Sequence, residues 1–315
     1  MTRRDEPSRQ VGTPSDTNTA SGLAISWLEW LLNIKGRQPR TAEAYGLTLE
    51  KWVEWAHANG VDPLHPDVTE IEAFTLRPRT RQGHGRRGAA STRRTEIVAL
   101  RGWFEWMVRR GHVKADPTVD LEAPTVRAGL PKPIPDADWL ALVQAQITPR
   151  LRLALGLGFY CGLRREEIVE LRGNQVTAEH IVDFTRKGGS QDTLPWRTMV
   201  GIHEDHMPRL LYGDFEGELL EHARSSRGNP MFWTEGQSMY KYMTRACKRA
   251  EIPHYTPHQL RHSCASNLVN VAKVDLHLVA SMLHHSSIDM TRRYIRAGGD
   301  ELAEWRRLNT RKTAI

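Results

Sequence analysis

The chain has 315 residues, a length that fits two domains better than one, and 39% of them are hydrophobic, enough for packed cores. No apolar stretch approaches the roughly 20 residues needed to span a bilayer, and the N-terminus lacks the apolar core of a secretion signal, so we expect a cytoplasmic protein without a membrane partner. Lys and Arg outnumber Asp and Glu by 44 to 37, which gives a net charge of +7.

The first part of the chain predicts a disordered tail followed by a helical domain. Residues 1–20 are polar and Pro-containing, and they bury too little apolar surface to fold. Apolar residues at three- and four-residue spacing then predict four helices over residues 21–115. These helices start with the run at 25–33, continue at 41–60 and 69–75, and end with a long helix from Ser91 to the stop at Gly111.

The positive charge is concentrated between residues 77 and 110, which hold ten arginines and two glutamates and therefore carry a net charge of +8. The loop predicted at 77–88 and the start of the following helix contain most of them. Such a block is typical of phosphate contacts with nucleic acid, although a solvated helix face with a flexible loop would look the same. The candidate DNA-binding residues are Arg77, Arg79, Arg81, Arg86, Arg87, Arg93 and Arg94.

A Pro-rich linker is predicted at 116–135, and a second, mainly helical domain at 136–315. Two short strands at 181–185 and 193–196, joined by the turn Lys187-Gly188-Gly189, predict a β-hairpin. The helices of this domain are predicted at 136–146, 149–160, 164–172, 215–224, 236–250, 257–270, 274–283, 287–296 and 300–309.

Metal binding has weak support in the sequence. The three cysteines lie far from any CxxC pattern, which argues against a disulfide framework and a structural zinc site. His254, His258 and His262 are four residues apart, as zinc ligands on a helix can be, but no carboxylate accompanies them in the HExxH manner and Pro257 interrupts the stretch. We therefore expect no metal, and we interpret His262 as a packed helix residue.

Four scattered segments of the second domain carry an unusual set of side chains: CGLRREE at 161–167, RKGG at 186–189, HQLRHSCA at 258–265, and LHHSS at 283–287 with a tyrosine nine residues after its second histidine. Two arginine forks can hold the oxygens of a phosphodiester and stabilise its transition state. A tyrosine with cationic neighbours and a nearby imidazole can act as a nucleophile, and a lysine can protonate the leaving oxygen. This chemistry requires no cofactor.

These motifs, in this order, resemble those of the tyrosine recombinase family, the phage integrases and Xer-type enzymes, over about residues 20–310. The resemblance implies a mainly α-helical fold with a small β-hairpin in the catalytic domain, preceded by a helical core-binding domain. It implies that Arg164 and Arg261 clamp the phosphate, that Lys187 is the general acid, that His258 and His285 assist proton transfer, and that Tyr294 is the nucleophile. Glu167 would support the first arginine.

The chain departs from the family pattern at three places. His284 stands where the family usually has a glycine before the catalytic histidine, which leaves two candidates for the working imidazole; the nine-residue gap to Tyr294 favours His285. Gln175 replaces a usual aspartate. The hairpin carries Ser190 and Asp192 where basic residues are common, which leaves Lys187 as its single lysine.

The function that the resemblance implies is site-specific recombination of double-stranded DNA through a 3′-phosphotyrosine, by a homotetramer on paired sites, with room for an accessory DNA-bending or directionality protein. Two alternatives remain at this point. One is a catalytically silent DNA-binding regulator on the same fold, which would not need Lys187 and Tyr294. The other is a type IB-like topoisomerase, which would share the chemistry without needing specific sites.

Overall fold

The computed structural model describes residues 19–79, 86–87, 89–126, 129–186, 189–233, 236–285 and 287–295. Its contacts divide the chain into two compact units, Met1–Ala128 and Gly129–Ile315. Each unit has its own apolar core. The division falls inside the Pro-rich segment at 116–135, where Leu121 is buried in the core of unit 1 and Ile134 in the core of unit 2.

Unit 1 is built from helices α1 (Ala20–Asn33), α2 (Pro39–Ala58), α3 (Val68–Leu76) and α4 (Ala90–Arg109). Its core is aromatic, with Trp27, Trp52 and Trp103 almost fully buried. Trp27 lies against α4 where Gly102 leaves room, since a Cβ there would be 2.9 Å from the indole ring. The bulky rings therefore determine how closely these helices approach.

The boundaries of two of these elements differ from the prediction. Helix α1 begins before residue 25, because the Thr19 hydroxyl accepts a hydrogen bond from the N–H of Gly22 and caps it. The segment predicted as a loop at 77–88 contains a two-residue antiparallel ladder, β1 (Pro78–Arg79) with β2 (Arg86–Arg87). So short a ladder has no side-chain alternation for sequence analysis to detect. The predicted tail at 1–20 lies, up to residue 18, outside the described residues.

Unit 2 is mainly helical, with one antiparallel pair of strands, β3 and β4, in which Phe184 pairs with Asp192 and Thr185 with Gln191. The elements in chain order are α5 (Asp136–Gln144), α6 (Pro149–Tyr160), α7 (Arg165–Glu170), β3 (Ile181–Thr185), β4 (Gln191–Leu194), α8 (Trp196–His206), α9 (Phe215–Ser226), α10 (Gly236–Arg249), α11 (Pro257–Ser266), α12 (Leu276–Met282) and α13 (Ile288–Arg292). A π-helical turn, Asn267–Val271, extends α11.

Helix α6 forms the centre of unit 2 and is buried along most of its length. Phe159 stacks on Trp139 of α5 with ring centroids 3.8 Å apart. Gly158 allows close packing of α11, because a Cβ at this position would lie 3.0 Å from the side chain of Leu260. This packing brings the helix that carries Arg261 next to the turn that follows α6.

Three predictions for unit 2 need correction or remain open. Helix α8 was not predicted, and the second strand was predicted at 193–196 but is found at 191–194. Trp196 begins α8 instead of ending the strand, because its buried indole donates to the carbonyl of Thr177. The helix predicted at 300–309 lies outside the described residues. Among the described helices, none is both long and apolar enough to cross a bilayer.

Buried His203 makes the stability of unit 2 depend on pH. Its ring is 0% exposed, packs against Tyr160, and hydrogen bonds through Nδ1 with the carbonyl of Met199 at 2.8 Å. Burial lowers the pKa of His203 below its usual 6.5. The unfolded chain therefore binds this proton more readily, and the free energy of unfolding falls as the pH drops below about 6.5.

When the pH is lowered from about 7.5 to about 5.5, we expect the melting temperature of His203→Gln to fall less than that of the wild-type protein. The measurement is the melting temperature at both pH values. His206→Gln, at the exposed end of the same helix, is the control and should keep the wild-type pH dependence. Equal pH dependence in all three proteins would show that His203 is not the source of the pH-dependent stability.

Candidate active site

Arg164 is held by a carboxylate of the helix that begins at the next residue. It immediately precedes α7, and Glu167 accepts both its backbone N–H and its guanidinium, each at 2.8 Å. Glu167 is 3% exposed. The carboxylate thus fixes the start of the helix and the direction of the arginine together.

Arg261 lies on α11 and is 2% exposed. Its guanidinium donates to the carbonyl of Gly162 at 2.6 Å and also to the carbonyl of Leu283. Burial, and then the positive charge of Arg164, lowers the pKa of Arg261 to about 10, so it is still a cation at neutral pH. Gly162 has φ +65°, and a Cβ there would lie 2.3 Å from the Leu283 side chain. Only glycine fits.

A third arginine, the buried Arg186, joins the cluster and was not among the predicted site residues. It donates to Asp192 at 2.7 Å and lies 3.4 Å from the second oxygen of Glu167. Asp192 in turn contacts Nε2 of His284 at 2.8 Å. These contacts connect the β3–β4 pair with α7 and with the segment after α12. Only the position of Arg186, next to the lysine in the RKGG motif, pointed to it in the sequence.

Tyr294 follows α13 and is 6% exposed. Its hydroxyl lies 2.6 Å from Nδ1 of His262, and its ring is parallel to that of His285 with centroids 6.2 Å apart. Burial raises the pKa of Tyr294, although the nearby charges of Arg261 and Arg293 oppose this effect. The phenol is therefore protonated at neutral pH. The expectation that His262 merely packs within its helix did not anticipate its contact with this hydroxyl.

Three imidazoles surround the phenol and the two arginines. His258 and His262 lie one turn apart on α11, with ring centroids 4.5 Å apart. Burial lowers the pKa of each of the three, with the charge of Arg261 contributing to all of them; it reaches about 4 for His262 and for His285. At neutral pH these side chains are consequently uncharged and able to accept protons.

The geometry distinguishes the two adjacent histidines. His284 has φ +48°, a conformation in which glycine is preferred, and its side chain contacts Asp192. His285 stacks on Tyr294, and its Nδ1 lies 2.7 Å from the Thr291 hydroxyl. The backbone at position 284 is one that glycine adopts without steric cost, and of the two histidines it is His285 that stacks on Tyr294.

The structure leaves one predicted catalytic residue unplaced and gives no support to a metal site. Lys187 lies outside the described residues, so its role stays a prediction. Within the described ranges, no group of three His, Cys, Asp or Glu residues is arranged to hold a metal ion. His254 does not join His258 and His262, because it contacts the hydroxyl of Thr244 at 3.0 Å and the ring of Tyr240.

The candidate DNA-binding arginines of unit 1 differ in their surroundings. Arg77 is engaged internally: it donates to Glu96 at 3.0 Å and to the Phe74 carbonyl, and it covers the Phe74 ring at 3.6 Å. In the first turns of α4, Arg94 is exposed and Arg93 partly so. Arg81 lies outside the described residues, and only the backbones of Arg79, Arg86 and Arg87 are described.

Family models match both units. The model of the phage integrase family matches residues 137–299, which is more than half of the chain. The model of the phage integrase N-terminal SAM-like domain matches residues 24–111.

Related proteins and solved structures agree with these matches. Tyrosine recombinase XerC of Xanthomonas campestris pv. campestris (strain B100) is 28% identical over 84% of this chain and 80% of its own. Tyrosine recombinase XerD of Corynebacterium glutamicum is 27% identical over 90% and 96%. A lambda integrase tetramer bound to a Holliday junction matches with a TM-score of 0.65 and 18% identity, over 88% of this chain and 77% of that one. XerH bound to a palindromic difH substrate matches with a TM-score of 0.62 and 18% identity, over 91% and 83%. The predicted fold class is confirmed.

Replacing Glu167 with glutamine should destabilise unit 2, because Arg164 and Arg186 would lose their shared buried anion. We expect a loss of about 3 kcal/mol in the free energy of unfolding, measured by urea denaturation. Glu170→Gln, an exposed residue on the same helix, is the matched control and should change it by less than about 0.5 kcal/mol. Equal stability of the two variants would mean that Glu167 does not hold the arginines.

Proposed function

The chain belongs to the phage integrase family of tyrosine recombinases, and from this membership we propose that it cuts and rejoins duplex DNA at specific sites through Tyr294. The observation that carries the proposal is the position of the Tyr294 hydroxyl, buried against His262 and within the field of Arg261 and Arg164. Residues separated by up to 130 positions converge on a single phenol. A chain that only binds DNA has no need for that convergence.

In the proposed reaction, the Tyr294 oxygen attacks the scissile phosphorus and displaces the 5′ oxygen of the next nucleotide. The products are a 3′-phosphotyrosine and a free 5′-hydroxyl, and the attack of a 5′-hydroxyl from another strand reverses the step. The phosphodiester bond energy is kept in the covalent link, so rejoining needs no nucleotide cofactor.

Arg164 and Arg261 are proposed to hold the non-bridging oxygens and to stabilise the charge of the pentacoordinate transition state. Both are oriented before DNA arrives, Arg164 by Glu167 and Arg261 by two backbone carbonyls. This preorganisation avoids reorientation of the donors during the reaction. His258 and His285 lie beside these arginines and are proposed to assist proton transfer.

The remaining roles follow from family membership. Lys187, next to the buried Arg186, is proposed as the general acid for the leaving 5′ oxygen. A lambda integrase tetramer has been solved on a Holliday junction. We propose a homotetramer on two DNA sites for this chain too, acting in the cytoplasm, with an accessory DNA-bending or directionality protein as a further candidate partner.

The relatives named above are recombinases, and neither the silent regulator nor the topoisomerase is favoured by them. Site-to-site exchange between two plasmids separates a recombinase from a topoisomerase, which would relax supercoils at any sequence.

Tyr294→Phe should abolish the covalent protein–DNA adduct and leave DNA binding unchanged, because the substitution removes one oxygen from a buried ring of the same shape. The substrate is the duplex that the protein selects from a random-sequence library, nicked beside the cleavage position so that the adduct is trapped. The adduct is detected by denaturing electrophoresis. An adduct in the variant would show that another residue is the nucleophile.

Replacing Arg86, Arg87, Arg93 and Arg94 with glutamine should weaken binding and flatten its salt dependence. Each lost phosphate contact reduces the magnitude of the negative slope of log K against log salt concentration by about 0.9. We therefore expect the slope of the fourfold variant to be smaller in magnitude by up to about 4. Binding is measured by fluorescence anisotropy at several salt concentrations. Arg109→Gln, on the same helix and paired with Glu105, is the control. An unchanged slope in the fourfold variant would exclude these side chains from the interface.

A further inference from the structure

The hydroxyl of Tyr294 has a specific partner. Its oxygen lies 2.6 Å from Nδ1 of His262, and within the described part of the chain no other side chain hydrogen bonds to it. His262 lies on α11, one residue after the buried Arg261, so the helix that positions the phosphate clamp also positions this imidazole. The contact thus joins the helix that carries Arg261 to the segment that carries Tyr294.

The two other histidines are engaged differently. Nδ1 of His285 lies 2.7 Å from the hydroxyl of Thr291. His258 packs its ring edge-to-face against His262, with centroids 4.5 Å apart, and makes no described hydrogen bond with the phenol. Neither is in the position that His262 occupies, in contact with the atom that must lose a proton.

We propose that His262 is a further catalytic residue, the base that holds the Tyr294 hydroxyl and takes its proton during attack on the phosphodiester. This inference rests on the proposed function of Tyr294. In the step, Nδ1 of His262 uses its lone pair to accept the phenolic proton while the bond from the tyrosine oxygen to phosphorus forms and the bond from phosphorus to the 5′ oxygen breaks. The 5′ oxygen takes up a separate proton. On rejoining, the imidazolium returns its proton to the departing phenolate.

The charges around His262 explain how DNA would prepare it for this role. His258 and Arg261 on α11 and Arg293 after α13 face the imidazole, and burial together with these groups lowers the pKa of His262 to about 4. A bound phosphodiester adds negative charge beside Arg261 and offsets this repulsion. The basicity of His262 therefore rises when substrate occupies the site, and falls when it is empty.

The test uses two variants of the full chain, His262→Ala and His262→Asn. Asparagine keeps a hydrogen-bonding group near the hydroxyl but cannot accept the proton. The rate of adduct formation is measured in single turnover on the nicked selected duplex, and on the same duplex with sulfur in place of the bridging 5′ oxygen, a leaving group that requires no protonation. His206→Ala, an exposed histidine of α8, is the control, and Tyr294→Phe tests the nucleophile separately.

We expect both His262 variants to be slower by about 100-fold at neutral pH, on the oxygen and the sulfur duplex alike. The defect should shrink between about pH 7 and about pH 9.5, as hydroxide replaces the missing base. Wild-type rates in His262→Asn, or recovery on the sulfur duplex, would overturn the proposal. These outcomes would not contradict the assignment of Tyr294 as the nucleophile. An adduct formed by Tyr294→Phe, in contrast, would refute the proposed function itself.

Discussion

The architecture of the site depends on one buried guanidinium. Arg261 donates to the carbonyl of Gly162, in the turn after α6, and to that of Leu283, in the turn after α12. Arg164 follows the first carbonyl by two residues, and His285 follows the second by two. Because a buried cation that loses its acceptors is strongly destabilising, these two turns are held against α11. Three segments that are distant in sequence thus acquire a fixed arrangement around the phenol.

The same buried charge determines the electrostatics. Arg164, Arg186 and Arg261 are only partly balanced by Glu167 and Asp192. Burial, and then the positive charges of Arg261 and Arg164, lowers the pKa of His258 and of His285. A phosphodiester supplies the missing negative charge. The free site therefore keeps its imidazoles neutral and its tyrosine protonated. In the proposed mechanism, the substrate changes the balance in favour of proton transfer. The basicity of the imidazoles is in this sense coupled to the binding of the phosphodiester.

Sequence analysis located the motif-bearing residues but did not anticipate contacts that depend on packing. The order of the motifs was sufficient to name Arg164, Arg261 and Tyr294, which the fold brings to one place. His262 was interpreted as a packed residue, because a histidine one position after an arginine has no distinctive spacing, and its contact with Tyr294 appears only once α13 returns to α11. The hydrogen bond from Arg77 to Glu96 could not be predicted from the sequence either, because Glu96 lies nineteen residues away.

Two departures from the family pattern turn out to be a single interaction. His284 stands where a glycine is usual and Asp192 where a basic residue is common, and their side chains meet at 2.8 Å. A histidine at φ +48° carries a backbone cost that glycine would avoid. The contact with Asp192, which also accepts from Arg186, offsets that cost and ties the β3–β4 pair to the segment that carries His285. Considered one at a time, each substitution weakens the resemblance. Considered together, they connect the β3–β4 pair with the segment that carries His285.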